Sequence, residues 1–143
     1  MARPAGLLLS VAALLGVVAT ARPADVAIAV IVHPSRNLTL AVQDVAQIFL
    51  RKQRFWEDGS PVVPLNREAG SALREAFSRR VFGISSSALA AYWNEQYFLG
   101  TFPPPTLSSS EAMKRYVASQ PNAIGYVEAG AVDLSVRVVL KLE

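Results

Sequence analysis

Seven consecutive residues, Val26-Ala-Ile-Ala-Val-Ile-Val32, are apolar at every position. The run is short and rich in β-branched side chains, and apolar on both parities. A half-buried strand would alternate; this one reads as a strand buried on both faces. Pro34 and Asn37 break it. A strand of that kind needs neighbours in a sheet and layers above and below it.

The rest of the chain supplies them. Leu40 to Leu50 places Val42, Val45, Ala46 and Phe49 at helical spacing. Asp58-Gly59 is a turn signal, and Val62 to Leu65 is a second short strand. Pro64 restricts that strand to a sheet edge or end. Ser71 to Phe82 predicts a helix burying Leu73, Ala76, Phe77 and Val81, with Arg74, Glu75, Ser78 and Arg79 outward and Gly83 as its stop. Ser87 to Phe98 predicts another, with Leu89, Tyr92, Trp93 and Gln96 or Tyr97 inward. Thr101 to Thr106 holds three consecutive prolines and reads as an extended connector. Ser108 to Glu111 matches a capping box, opening a helix with Ala112, Met113, Tyr116 and Val117 inward. Ile124 to Val127 and Val136 to Leu142 are the last strands. The predicted fold class is α/β: a mixed sheet flanked by helices, in the order β-α-β-α-α-α-β-β.

The N-terminus reads as a secretory signal. Arg3 precedes an apolar stretch from Leu7 to Ala19, and Ala19-Thr20-Ala21 supplies a small-x-small cleavage pattern. The expected organisation is a signal peptide over residues 1–21 and one domain over 22–143, located in the periplasm, with no membrane span once the signal is removed. An uncleaved anchor is the alternative. Cleavage after Ala21 leaves 122 residues, enough for a hydrophobic core. With Arg3 gone, the 14 Lys and Arg of the whole chain fall by one against 11 Asp and Glu, so the domain is nearly balanced. Nucleic acid is not an expected partner. The absence of cysteine excludes a disulfide framework, a thiolate metal site and a thiol nucleophile.

One segment gathers the parts of an oxyanion site, Asn66-Arg67-Glu68-Ala69-Gly70-Ser71-Ala72-Leu73, between a strand end and a helix start. A helix N-terminus presents free N–H groups and partial positive charge. Arg67 offers a bidentate fork, Gly70 allows close backbone approach, and Ser71 caps the helix or donates its hydroxyl. An ordinary capped helix beside a surface arginine uses the same residues. His33 is the sole histidine, Glu57 and Asp58 sit in a turn, and Ser85 to Ser87 lack triad partners, so no enzyme is expected and no cofactor. Trp56 and Trp93 read as core or semi-buried residues. Tyr92, Trp93, Tyr97 and Phe98 form an aromatic cluster that reads as core, or as a contact patch if its outer members are exposed.

Several stretches together carry a resemblance. Ile48-Phe49-Leu50, Phe55-Trp56-Glu57-Asp58-Gly59, Val63-Pro64-Leu65-Asn66-Arg67, Gly70-Ser71 and Pro121-Asn122-Ala123-Ile124-Gly125-Tyr126-Val127 resemble the phosphate-binding proteins of ABC transporters, which are type 2 periplasmic binding proteins. The last stretch is similar to that family's PGAIGYV segment. The resemblance runs from about Val26 to Val139 and to one lobe of a two-lobed protein about twice this size. It implies a phosphate or oxyanion site at Arg67, Gly70, Ser71 and the N–H groups of Ala72 and Leu73. Arg67, Gly70 and Ser71 match the family's Arg-Ser-Asp-Gly-Ser-Gly-Thr loop. Glu68, Ala69, Ala72 and Leu73 stand where it has serine, aspartate, glycine and threonine.

A micromolar two-lobed site has about −8 kcal/mol of binding free energy, and half of that is near-millimolar. The resemblance thus implies a weak module for inorganic phosphate or a similar oxyanion, linked to phosphate ABC transport or sensing. A second copy or an envelope protein would complete the site. The alternative is an envelope protein-interaction or sensor-accessory protein that reuses the fold without a ligand.

Overall fold

The structure, a computed structural model, describes residues 26–143 together with positions 2, 3, 6, 16 and 17. The rest of the expected signal segment, with its cleavage point after Ala21, lies outside the described residues.

A four-stranded sheet organises the fold. Its strands are β1 (Ile28–Val32), β2 (Val63–Pro64), β5 (Ala123–Glu128) and β6 (Arg137–Leu142), in the order β2-β5-β1-β6. β1 pairs antiparallel with β5 and with β6, and β2 runs parallel to β5, so the sheet is mixed. β2 takes an edge, where Pro64 removes no needed donor. Between Val30 and Ile31 the β1–β6 register slips by one residue and leaves Val139 as the extra one.

The double-sided burial expected of β1 is present. Ile28, Val30 and Val32 face one core with α1 (Val42–Phe49) and α2 (Ala72–Phe82); Ala29 and Ile31 face a second with α4 (Ser110–Ser119). β5 follows the same alternation, sending Ile124 and Tyr126 to the first core and Ala123 and Val127 to the second. In the first core Phe77 stacks flat on Tyr126 with centroids 3.8 Å apart, and Phe49 tilts against both. α1 buries Val45, Ala46, Ile48 and Phe49; Val42, expected inward, lies in the first turn and is exposed.

α2 follows its expected pattern. Ser71 is its N-cap, Gly83 closes it at φ 74°, and Leu73, Ala76, Phe77 and Val81 are buried. Ser78, expected outward, is also buried, because its hydroxyl donates to the carbonyl of Ile84 at 2.8 Å. The next segment departs further. It splits into a 3-10 turn (Ser87–Leu89) and α3 (Ala90–Phe98), and no residue of α3 is fully buried. Leu89, Tyr92, Trp93 and Gln96 are half-buried, so the face was placed correctly, but Tyr97 and Phe98 are exposed and not core.

Two further strands lie outside the expected order. β3 (Asn66–Arg67) pairs parallel with β4 (Thr106–Leu107), into which the proline connector runs. Each has two residues, too few to show a period. The cap of α4 is one residue later than expected: Ser109, not Ser108, accepts from the Ala112 N–H. Glu111 reaches forward to Lys114 at 3.0 Å instead of back to a cap. Met113 and Val117 are buried, Ala112 is half-buried and Tyr116 is exposed. No helix among the described residues is long and apolar enough to cross a membrane.

Candidate functional site

β3 and the first turn of α2 bring Arg67, Gly70, Ser71, Ala72 and Leu73 to one corner of the sheet. β3 is held at both its ends by the β4 segment: the Asn66 N–H donates to Pro105 O at 2.9 Å and the Glu68 N–H to Leu107 O at 3.2 Å. Gly70 takes φ 85°, and the turn closes with the Ser71 N–H donating to Glu68 O at 3.1 Å. Left-handed backbone here explains the glycine. The Ser71 hydroxyl accepts from the Arg74 N–H at 3.3 Å as a helix cap. Ala72 and Leu73 follow as the first helical residues, whose N–H groups have no intrahelical acceptor.

Arg67 is 9% exposed, and its guanidinium is engaged on two sides. Nε donates to Glu68 Oε2 at 3.0 Å and Nη2 to Glu68 Oε1 at 3.4 Å. Nη1 donates to the Ser110 hydroxyl at 3.0 Å, and that hydroxyl donates to the carboxylate of Glu128. Arg74 adds a second cation, donating through Nη1 to Arg67 O at 3.1 Å. Two arginines thus face two carboxylates. The hydrogen bond from Arg67 holds the Glu68 carboxyl below its usual range, so Glu68 is an anion here. Its carboxylate grips the arginine fork side-on, as a carboxylate or phosphate ligand would. An incoming oxyanion must displace Glu68 to reach that fork.

The backbone of Arg67 is fixed from below. Its N–H donates to Asn66 Oδ1 at 2.9 Å and to the Tyr126 hydroxyl at 3.3 Å, while that hydroxyl donates to Asn66 Oδ1. Burial pushes the Tyr126 phenol well above its ordinary value, so it stays a neutral donor. Asn66, Arg74, Ser110, Tyr126 and Glu128 were not singled out from the sequence. Tyr126 carried a signal, since a tyrosine in an otherwise apolar strand needs a partner for its hydroxyl. Ser110 and Glu128 carried none, because the fold alone brings them to Arg67.

A separate cleft lies elsewhere. It measures about 560 Å³ and is lined by Arg36, Leu38, Leu40, Trp56, Glu57 and Asn122 among others. Arg36 stacks over Trp56 at 4.3 Å and donates to Pro121 O at 2.6 Å, Asn122 Oδ1 at 2.8 Å and Ser60 Oγ at 2.9 Å. Those donors are spent on the protein, and Asp44, Glu57 and Asp58 add negative charge to the walls. Trp56 is buried, with Nε1 donating to Asn122 O at 3.1 Å. It therefore sits at the start of β5, whereas Arg67 meets β5 at Tyr126 and, through Ser110, at Glu128, about 13–20 Å further along at strand rise. His33 accepts from the Ser35 N–H at 3.1 Å, a turn contact. Ser86 donates to Glu75 at 2.6 Å and starts the next helical segment. Among the described residues, no group of three His, Asp or Glu is placed to hold a metal ion.

Comparison with solved structures gives consistent matches. The chain is 28% identical to a phosphate ABC transporter substrate-binding protein from Clostridium perfringens, solved with bound phosphate, at a TM-score of 0.65 over 80% of this chain and 45% of that one. An ABC-type phosphate transport receptor from Vibrio cholerae matches at 19% identity and a TM-score of 0.64, over 80% of this chain and 46% of that one. PstS from Borrelia burgdorferi matches at 15% and 0.56, over 73% and 42%. The chain therefore spans less than half the length of each. No protein-family model and no curated protein matches it.

Proposed function

We propose that this chain, which has the fold of a single lobe of the phosphate ABC transporter substrate-binding proteins, is a periplasmic oxyanion-binding module exported by a signal cleaved after Ala21, with inorganic phosphate or a similar anion as its ligand. It acts in phosphate transport or sensing, performs no reaction, and is completed by a second copy or an envelope partner. The observation that carries the reading is the placement of a buried Arg67 beside the first turn of α2. The 28% identity to a protein crystallised with phosphate supports it.

The ligand displaces Glu68 and takes Nε and Nη2 of Arg67. The Ser71 hydroxyl and the N–H groups of Ala72 and Leu73 complete the cradle, and Ser110 keeps Nη1 in place. Charge-assisted hydrogen bonds contribute about 1.5–3 kcal/mol each. Three or four in an open, wet corner give a dissociation constant near the millimolar range. Calorimetric titration with phosphate at low salt, beside Arg67→Ala, tests the reading. Saturable binding that disappears in the variant is expected. A flat titration up to tens of millimolar refutes a stand-alone receptor.

A second reading rests on one observation: Glu68 already occupies the arginine fork. On that reading the fold serves contact with another envelope component and holds no ligand. A flat titration selects it.

A further inference from the structure

We infer that the C-terminal tip of α3, with the loop before β2, is a docking surface for an anionic lipid bilayer. Four large apolar side chains gather at this tip and touch no core. Tyr97 is 61% exposed, Phe98 87%, Leu99 71% and Phe102 61%. They form one patch, with the Tyr97 ring 6.1 Å from Phe98 and 5.4 Å from Phe102. A helix that buries none of its residues fully gains little by folding onto its own domain. No described residue covers the tip, so its burial has to come from outside the described residues.

Charge identifies the occupant. The 51–54 loop places Arg54 beside the apolar tip and Lys52 against the first turn of α3. Lys52 Nζ lies 5.9 Å from the Tyr92 ring, and Arg54 Nη2 donates to Thr101 Oγ1 at 2.8 Å, one residue before Phe102. Arg54 Nε donates to Arg51 O at 3.1 Å, which ties the cations into one loop. Glu95 is the acidic side chain of α3. Protruding rings flanked by cations suit an interfacial site, where apolar side chains enter the headgroup boundary and Lys and Arg meet anionic lipid.

A second copy fits less well. A symmetric contact would bring Lys52 and Arg54 of two chains together, with Glu95 to offset them. Area argues the same way. An aromatic side chain buries about 150–250 Å² when fully covered. Three rings and one leucine, already partly covered, fall short of the ~800 Å² per partner of a stable protein interface.

The test is co-sedimentation of the whole exported chain with vesicles. One set is phosphatidylcholine alone and the other contains about 30% phosphatidylglycerol. Binding to the anionic set is expected, weakened by salt. Phe98→Ser with Leu99→Ser should lower the partition constant by about tenfold or more. Lys52→Gln with Arg54→Gln should lower it about fivefold per charge, on the anionic set alone. Unchanged melting temperatures show that both variants fold. Absence of vesicle binding overturns the inference. So does equal binding by the parent and the Phe98/Leu99 variant, which would place the contact elsewhere in the chain. A concentration-dependent dimer abolished by the same pair of substitutions also overturns it, and assigns the tip to a second copy.

Discussion

Gly125→Ala sets two effects against each other. Gly125 lies inside β5 with ordinary φ, and an alanine in a strand interior gains about 0.5–1 kcal/mol over glycine in backbone entropy. Propensity alone predicts stabilisation. Packing predicts the reverse, because a Cβ here would fall well inside contact distance of Met113 Sδ and 3.0 Å from its Cγ. Met113 is fully buried among Ala29, Leu65, Val117 and Val127, so its thioether has little space to retreat into. Overpacking of this kind costs about 1–3 kcal/mol, which outweighs the entropy gain. For a domain of this size the melting temperature should fall by about 3–10 °C. The displacement also has a direction. Met113 lies one helical turn beyond Ser110, so pushing α4 off the sheet loosens Ser110 from Arg67 and weakens phosphate binding as well. Urea and thermal unfolding measure the first effect and calorimetry the second. Met113→Ala alone should cost about 2–5 kcal/mol, and in the double variant the new methyl group fills part of the vacated space. The double should therefore cost at least about 1 kcal/mol less than the sum of the singles. A Gly125→Ala chain as stable as the parent, or strict additivity in the double, would refute the packing argument.

Two further outcomes follow from the arginine corner and from the pair that Asp133 makes with Lys114 of α4. Glu68→Gln removes the carboxylate that competes for the Arg67 fork and should raise phosphate affinity severalfold in the same titration; unchanged affinity would mean the anion does not use that fork. Asp133 is held down to about 2 by hydrogen bonds from Ser135 and Lys114. A carboxyl depressed in the folded state lends stability above its unfolded value, about 3.9, and loses it as pH falls through the folded one. Asp133→Asn should be less stable at neutral pH and lose less stability between about pH 4 and about pH 2, read from urea midpoints across that range.

The sequence disclosed what obeys a period or a local rule. β1 was legible because both parities are apolar, and its two faces do meet two cores. α2 was legible from Ser71, Gly83 and the spacing between them. β3 and β4 were not, since two residues have no alternation to read. α3 looked inward-facing because Leu89, Tyr92 and Trp93 share a face, but periodicity cannot say whether anything covers that face. At the arginine corner, Arg67, Gly70 and Ser71 were visible as a pattern, and Glu68 was visible as an intruding charge. Their relation was not visible. Whether Glu68 points to solvent or onto the arginine depends on Ser110 and Arg74, which the fold brings from 43 and 7 residues away.

Of the described strands, β1, inside the sheet, comes first in the chain, and its neighbours β5 and β6 come last. Ile28 pairs with Glu128 on one side and with Leu142 on the other. Until those residues are available, β1 is an apolar ribbon with both edges open. The chain therefore cannot close its cores in order of synthesis; folding waits on contacts that span nearly its whole length, a topology that folds slowly. If the chain is exported as proposed, that delay keeps it unfolded for passage, and it leaves completion of the sheet to the side on which β6 emerges.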